Sequence, residues 1–184
     1  MRRPILLGLL FAVHAVAFAP AAQAQASAVA ESVIRRYGGG QLITNPSFPA
    51  PKDLVYRVVW DVNVGPAKPD SVVDGFRRPA SFLLQMDDNG VPRKNVHLAI
   101  IVYGTAGQSL LNNAAYKAKT GSDNASIPLL EALHATGVRV IICGESIIGR
   151  NIPRDQLLPF VEVATTATVA RAVLAAQGYA TFWP

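Results

Sequence analysis

Two uninterrupted apolar stretches set the frame of this chain. "VHLAIIVYG" and "VRVIIC" run at strand length without the polar alternation of a strand that keeps one face in water. That is the pattern of strands covered on both faces, as in a parallel sheet. "LVYRVVWDV", rich in Val, Tyr and Trp, reads as a first strand, "FVEVA" as a fourth and "YATFWP" as a short closing one. Helical patterns lie between them. "KPDSVVDGFRRPASFLLQMDDNG" has start signals at Pro69 and Asp70, an apolar stripe through Phe76, Phe82, Leu83 and Met86, and a stop at Gly90. Pro79 inside that pattern predicts a divided or kinked helix. "TAGQSLLNNAAYKAKTGSD" predicts a short helix and a loop, and "GESIIGRNIPRDQLLP" a turn or short helix and a loop. "NASIPLLEALHATG" predicts a helix ended by Gly137, and "TTATVARAVLAAQG" one ended by Gly178. Strands alternating with helices, and strands without polar alternation, give an α/β sandwich with a mostly parallel sheet.

The ends of the chain differ from this pattern. "MRRPILLGLLFAVHAVAFAPAAQAQA" has a positive start at Arg2 and Arg3, an apolar run from Ile5 to Ala19, and small residues for cleavage. These are the parts of a secretory signal peptide, expected to be cut after Ala24, with Ala26 as the neighbouring choice. At about 15 residues, broken by His14, the run is short for a bilayer span, which needs roughly 20, so no stable membrane anchor is expected. The protein is therefore expected to be periplasmic or secreted. Residues 25–53 read as a leader, because "YGGGQLITNPSFPAPKD" carries three consecutive glycines and three prolines. The globular domain is expected from residue 54 to residue 184.

Charge narrows the function classes. Loss of residues 1–24 removes two arginines and no acid, so the formal charge of +5 becomes +3. The remaining bases, among them Arg35, Arg36, Arg77, Arg78, Arg93 and Lys94, are scattered, which argues against nucleic-acid binding. One cysteine cannot form an internal disulfide, so the domain must hold together by packing. His97, His134 and Cys143 lack the short spacings of metal ligands, so no metal and no cofactor are expected.

In a parallel sheet, ligands bind beyond the carboxyl ends of the strands. Topology puts "NVGPAKP", "YGTAGQS" and "CGESIIG" there, and with them Cys143, the lone thiol. A cysteine that opens a helical turn faces backbone N–H groups, whose partial positive charge favours thiolate. Gly144, Glu145 and Ser146 follow it directly, with Arg150 and Arg154 a little downstream. The alternative is a cysteine packed as a small hydrophobe at a strand end. Gly104 and Thr105 in "YGTAG" offer bare backbone N–H groups to an anion, although a plain tight turn explains the same residues. His97 falls inside the second strand. His134 falls near the carboxyl end of a helix, where an imidazolium suits the dipole.

"GTAGQSLL", "AYKA" and the continuous run from "NASIPLLEALHATGVRVIICGES" through "LLPFVEVA" to "AAQGYATF" resemble the DsrE/DsrF-like family, in particular its small exported members. The resemblance spans Leu54 to Phe182, and its most specific part is "GVRVIICGES". It implies a three-layer α/β/α sandwich with a five-stranded parallel core and assembly as a homotrimer, homohexamer or related oligomer. It also implies that Cys143 matches the strand-end cysteine that carries persulfide sulfur in relay members, with a donor or acceptor protein or small sulfur compound as partner. Asn124 falls at an Asn-rich helix start that caps the helix or shapes the pocket, and Tyr103 stands where many exported relatives carry histidine. Two functions follow as expectations. One is sulfane-sulfur handling through Cys143; the other is a non-catalytic oligomeric module that binds a small anion or thiol compound.

Overall fold

The computed structural model describes residues 19–41 and 43–182. The expected signal run up to residue 18, and Trp183 in the tail, lie outside them. Five strands, β1 (Tyr56–Val62), β2 (Val96–Val102), β3 (Arg139–Cys143), β4 (Glu162–Ala164) and β5 (Ala180–Phe182), form one sheet in the order β4-β3-β2-β1-β5. Every pairing between them is parallel. The helices are α1 (Ala19–Tyr37), α2 (Arg77–Asp88), α3 (Asn113–Thr120), α4 (Ile127–Ala135), α5 (Gly144–Gly149) and α6 (Ala167–Ala176).

Both faces of the sheet are dry, which is why its central strands need no polar alternation. Val58, Trp60, Leu98, Ile100, Val140 and Ile142 join the larger core. Against that side pack α2 and α4, and α1 lies over α4 and α2. The alternate residues Val59, Ala99, Ile101, Ile141 and Cys143 point to the other face, where α6 alone supplies Ala167, Ala170 and Leu174. Helix α6 connects β4 at one edge to β5 at the other, so it must cross the sheet. It does so over β2 and β3.

Three expectations need correction. Residues 25–53 do not form an irregular leader throughout, since α1 extends to Tyr37 and buries Ala30 and Ile34. The described residues from Gly38 to Val55 hold no helix or strand. Pro69 and Asp70 do not start a helix. They form a turn closed by the Ser71 N–H on Lys68 O at 3.0 Å, and the helical path begins with one 3-10 turn at Asp74–Phe76. Nor does Pro79 divide α2. It falls in the first turn, where a backbone N–H has no acceptor within the helix and its loss is harmless.

Candidate functional site

Cys143 ends β3, opposite Ala164 of β4, and its side chain faces α6. The carboxyl ends of β1, β2 and β3 are tied together there by side chains from the connecting loops. The Gly65 N–H donates to Thr105 Oγ1 at 2.8 Å, and the Thr105 hydroxyl donates to Asn63 O at 3.2 Å. The Gly104 N–H donates to Ser146 Oγ at 3.1 Å. Gly104 has a φ of +57°, and a Cβ on it would lie 2.6 Å from Asn63 O. The turn therefore needs glycine for conformation and for clearance. Its N–H is taken up by Ser146 and does not face an open anion site. Ser146 and Thr105 act here as ties between loops.

The sulfur itself is 4% exposed. Although Cys143 occupies the N-cap position of α5, it makes no side-chain cap bond to that helix. The amide it meets belongs to another element. The Ala167 N–H, first in α6, donates to Cys143 Sγ at 3.3 Å. The neighbouring Thr166 caps α6 by accepting from the Val169 N–H at 3.0 Å. The amide on the sulfur is thus one of the helix-start donors that have no partner inside the helix. Such donors favour negative charge on the atom they meet. The close approach of the β4–α6 connection depends on Gly144, since a Cβ there would lie 2.8 Å from both Ala164 O and Thr165 O.

The other expected site residues are placed elsewhere. Glu145 is exposed, and with Arg154, Ile148 and Thr165 it lines an open cleft of about 490 Å³ beside α5. Asn124 is buried. Its side-chain amide donates to Ser109 O and Leu111 O, each at 2.9 Å, and its carbonyl accepts from the Ser126 N–H. It joins the start of α4 to the segment after β2, with no hydrogen bond to the surroundings of Cys143. His97 is exposed, and His134 stacks on Phe160 at 4.5 Å. Among the described residues no group of His, Cys, Asp or Glu could hold a metal, and no helix is long and apolar enough to cross a membrane.

The sequence reading passed over a buried ion pair on the same sheet face. Asp61 of β1 is wholly buried, and both its oxygens accept from Arg171 Nε at 3.0 Å. The guanidinium of Arg171 also lies over the Tyr103 ring, 5.7 Å from its centroid. Burial pushes the Asp61 carboxyl above its usual range, and the Arg171 hydrogen bond and charge oppose that. A signal existed for both residues. Asp61 is the one acid of an otherwise apolar strand end, and Arg171 is the one charged residue of α6. A charge in a strand covered on both faces requires a partner.

Between α6 and β4 lies a second cleft, of about 270 Å³, floored by Ile141 and walled by Val163, Ala164, Val169, Ala170 and Leu174. Ile141, Ala164, Ala170 and Leu174 also enclose the sulfur. At the far end Arg139 donates to both carboxylate oxygens of Glu162, at 2.9 and 2.6 Å.

Comparison with known proteins places these features. Residues 80–184 match the DsrE/DsrF-like family. The E. coli YchN protein has a similar structure, with a TM-score of 0.50 and 24% identity over 70% of this chain and 100% of its own. MTH1491 of Methanobacterium thermoautotrophicum, a protein of unknown function, gives a TM-score of 0.45 and 18% identity over 70% of this chain and 99% of its own. No curated protein matches the chain. The family match covers more than half the sequence, from α2 through the β3 cysteine to the last strand, and the likeness to YchN supports the all-parallel sandwich on which that cysteine sits. The chain belongs to the DsrE/DsrF-like family, a group associated with sulfur relay.

Proposed function

We propose that the protein accepts sulfane sulfur as a persulfide on Cys143 and passes it on. The observation that carries this is the Ala167 N–H on Cys143 Sγ at 3.3 Å, at the first residue of α6. A thiol placed at a helix start gains support for the thiolate, which is the attacking species in sulfur exchange. The step conserves atoms and electrons. The thiolate attacks the outer sulfur of a donor R–S–SH, the donor's S–S bond breaks, a new S–S bond forms on Cys143, and RS⁻ leaves. An acceptor thiolate attacking that outer sulfur restores the Cys143 thiolate, and neither transfer needs a cofactor. A sulfur that is 4% exposed must be uncovered for reaction, and the connection Ala164–Thr165–Thr166 over it is the segment that has to move.

Mass spectrometry after incubation with a polysulfide tests the proposal. A gain of one sulfur atom, lost in Cys143→Ser, is expected. A wild-type protein that stays unmodified in excess donor, while its unfolded form reacts, refutes it.

Burial of the thiol favours a second reading, in which Cys143 is a wall residue of a module that binds a small anion or thiol compound. Equal ligand binding by wild type and Cys143→Ala would select that reading. We further propose export, with cleavage after Ala24, which leaves the buried contacts of Ala30 and Ile34 intact. N-terminal sequencing of protein from the producing cell's envelope checks it. A homotrimer or homohexamer is proposed too, with the exposed Val163, Val169 and Val173 as an apolar face. Sedimentation of the wild type and of Val169→Asp decides it.

A further inference from the structure

We propose that Asp61 and Arg171 are positioning residues for Cys143, which fix one cation and one helix start beside the sulfur. The inference rests on Cys143 as the working thiol, and three observations carry it. First, Arg171 lies four residues, about one turn, after Ala167, so the residue that meets Asp61 and the amide that meets the sulfur share one face of α6. Second, the Nε of Arg171 is held by both oxygens of a carboxylate with no exposure, and its guanidinium covers the Tyr103 ring, so the cation has little freedom. Third, Tyr103 packs into the same small cluster as Cys143, at the carboxyl end of the neighbouring strand.

Packing alone does not call for this pair. The α6 side of the sheet already buries Val59, Ala99, Ile101 and Leu174, and an apolar pair of similar volume is as good or better for stability than a buried ion pair. What an apolar pair cannot supply is a charge. The two ends of the ion pair are also unequally placed. Asp61 is level with Ile101 and Ile141, two strands away from Cys143 and two residues short of it, on the order of 12 Å. Arg171 is about one helical turn from the amide on the sulfur. The sulfur therefore feels the cation more strongly than the carboxylate that anchors it. The other titratable groups facing the cluster are Tyr103 after β2 and Tyr179 before β5, while Glu145 on α5 is exposed to solvent.

The test is the pH dependence of the thiolate absorption band, measured for wild type, Arg171→Lys, Arg171→Met and the double variant Asp61→Asn/Arg171→Met. The matching Cys143→Ser protein is subtracted in each case to remove tyrosinate. The double variant leaves no unpaired buried carboxylate, so it keeps the test open if Arg171→Met does not fold. Expected is an upward shift of the band's midpoint by about one pH unit in Arg171→Met and in the double variant, with Arg171→Lys staying near wild type. An unshifted midpoint in the variants that fold overturns the inference, even if melting temperature falls, because that is the behaviour of a merely structural pair. A lysine variant that shifts as far as the methionine variant overturns it as well. The result is separable from sulfur transfer. A shifted midpoint in a protein that takes up no sulfur from polysulfide leaves the positioning role standing and removes the persulfide.

Discussion

At the residue scale, two glycines and one cysteine define the functional edge. Gly144 has ordinary backbone angles, so its constraint is space: two carbonyl oxygens of the β4–α6 connection occupy the room of a Cβ. Gly144→Ala is expected to lose about 2 kcal/mol in urea denaturation, because backbone has to shift to admit the methyl group. A loss below about 0.5 kcal/mol would mean that the connection yields freely, which is within the range of an unremarkable surface change. Gly104→Ala combines a left-handed conformation with a contact to backbone and should cost at least as much in the same assay. Cys143 was legible as the residue that matters, since it is the lone thiol and ends an apolar strand. The amide that meets it was not. The sequence points to Gly144 and Glu145, its chain neighbours, whereas the donor is Ala167, twenty-four residues on. A side chain at a strand end points to one face of the sheet, and which helix covers that face is a property of the crossover.

At the element scale, α1 is the largest departure from expectation. Its packing residues Ala30, Val33, Ile34 and Tyr37 keep helical spacing, and that signal was outweighed by the glycines and prolines that follow. The helix is held by more than that stripe. Arg93, just before β2, donates to Asp87 at the end of α2 and reaches Glu31 of α1 at 3.2 Å. Ile34→Ala is expected to destabilise the protein by about 3 kcal/mol, the usual loss for a large aliphatic residue deleted from a core. Thermal or chemical denaturation checks it. An effect near zero would show that α1 is an appendage to the domain.

At the scale of the whole molecule, one edge of the sheet is closed by charge. The Arg139 hydrogen bonds hold the Glu162 carboxyl below its usual range. A carboxyl depressed by folding contributes stability that is complete above its unfolded value near 4.5 and disappears as pH falls through the folded value. Glu162→Gln should therefore be less stable than wild type at neutral pH by about 0.5 kcal/mol, in keeping with an exposed pair, and equal to it near pH 3. A difference that persists undiminished at pH 3 would assign the effect to packing. Asp61 behaves with the opposite sign. Burial raises its carboxyl, so the folded state holds that proton more tightly, and its contribution falls as pH rises through the folded value.

Across the whole molecule, the pattern of apolar runs and helical stripes determined the α/β class, the order of the strands along the chain and the sheet edge where the thiol would lie. These are local properties: a strand that needs no polar face announces it in its own residues. Tertiary structure alone decided that α6 crosses over β2 and β3, that its first amide meets the sulfur, and that Arg171 reaches Asp61 across 110 positions of sequence. Such partners are joined by the path of a crossover, and a chain records which of its charges need a partner more plainly than where that partner will come from.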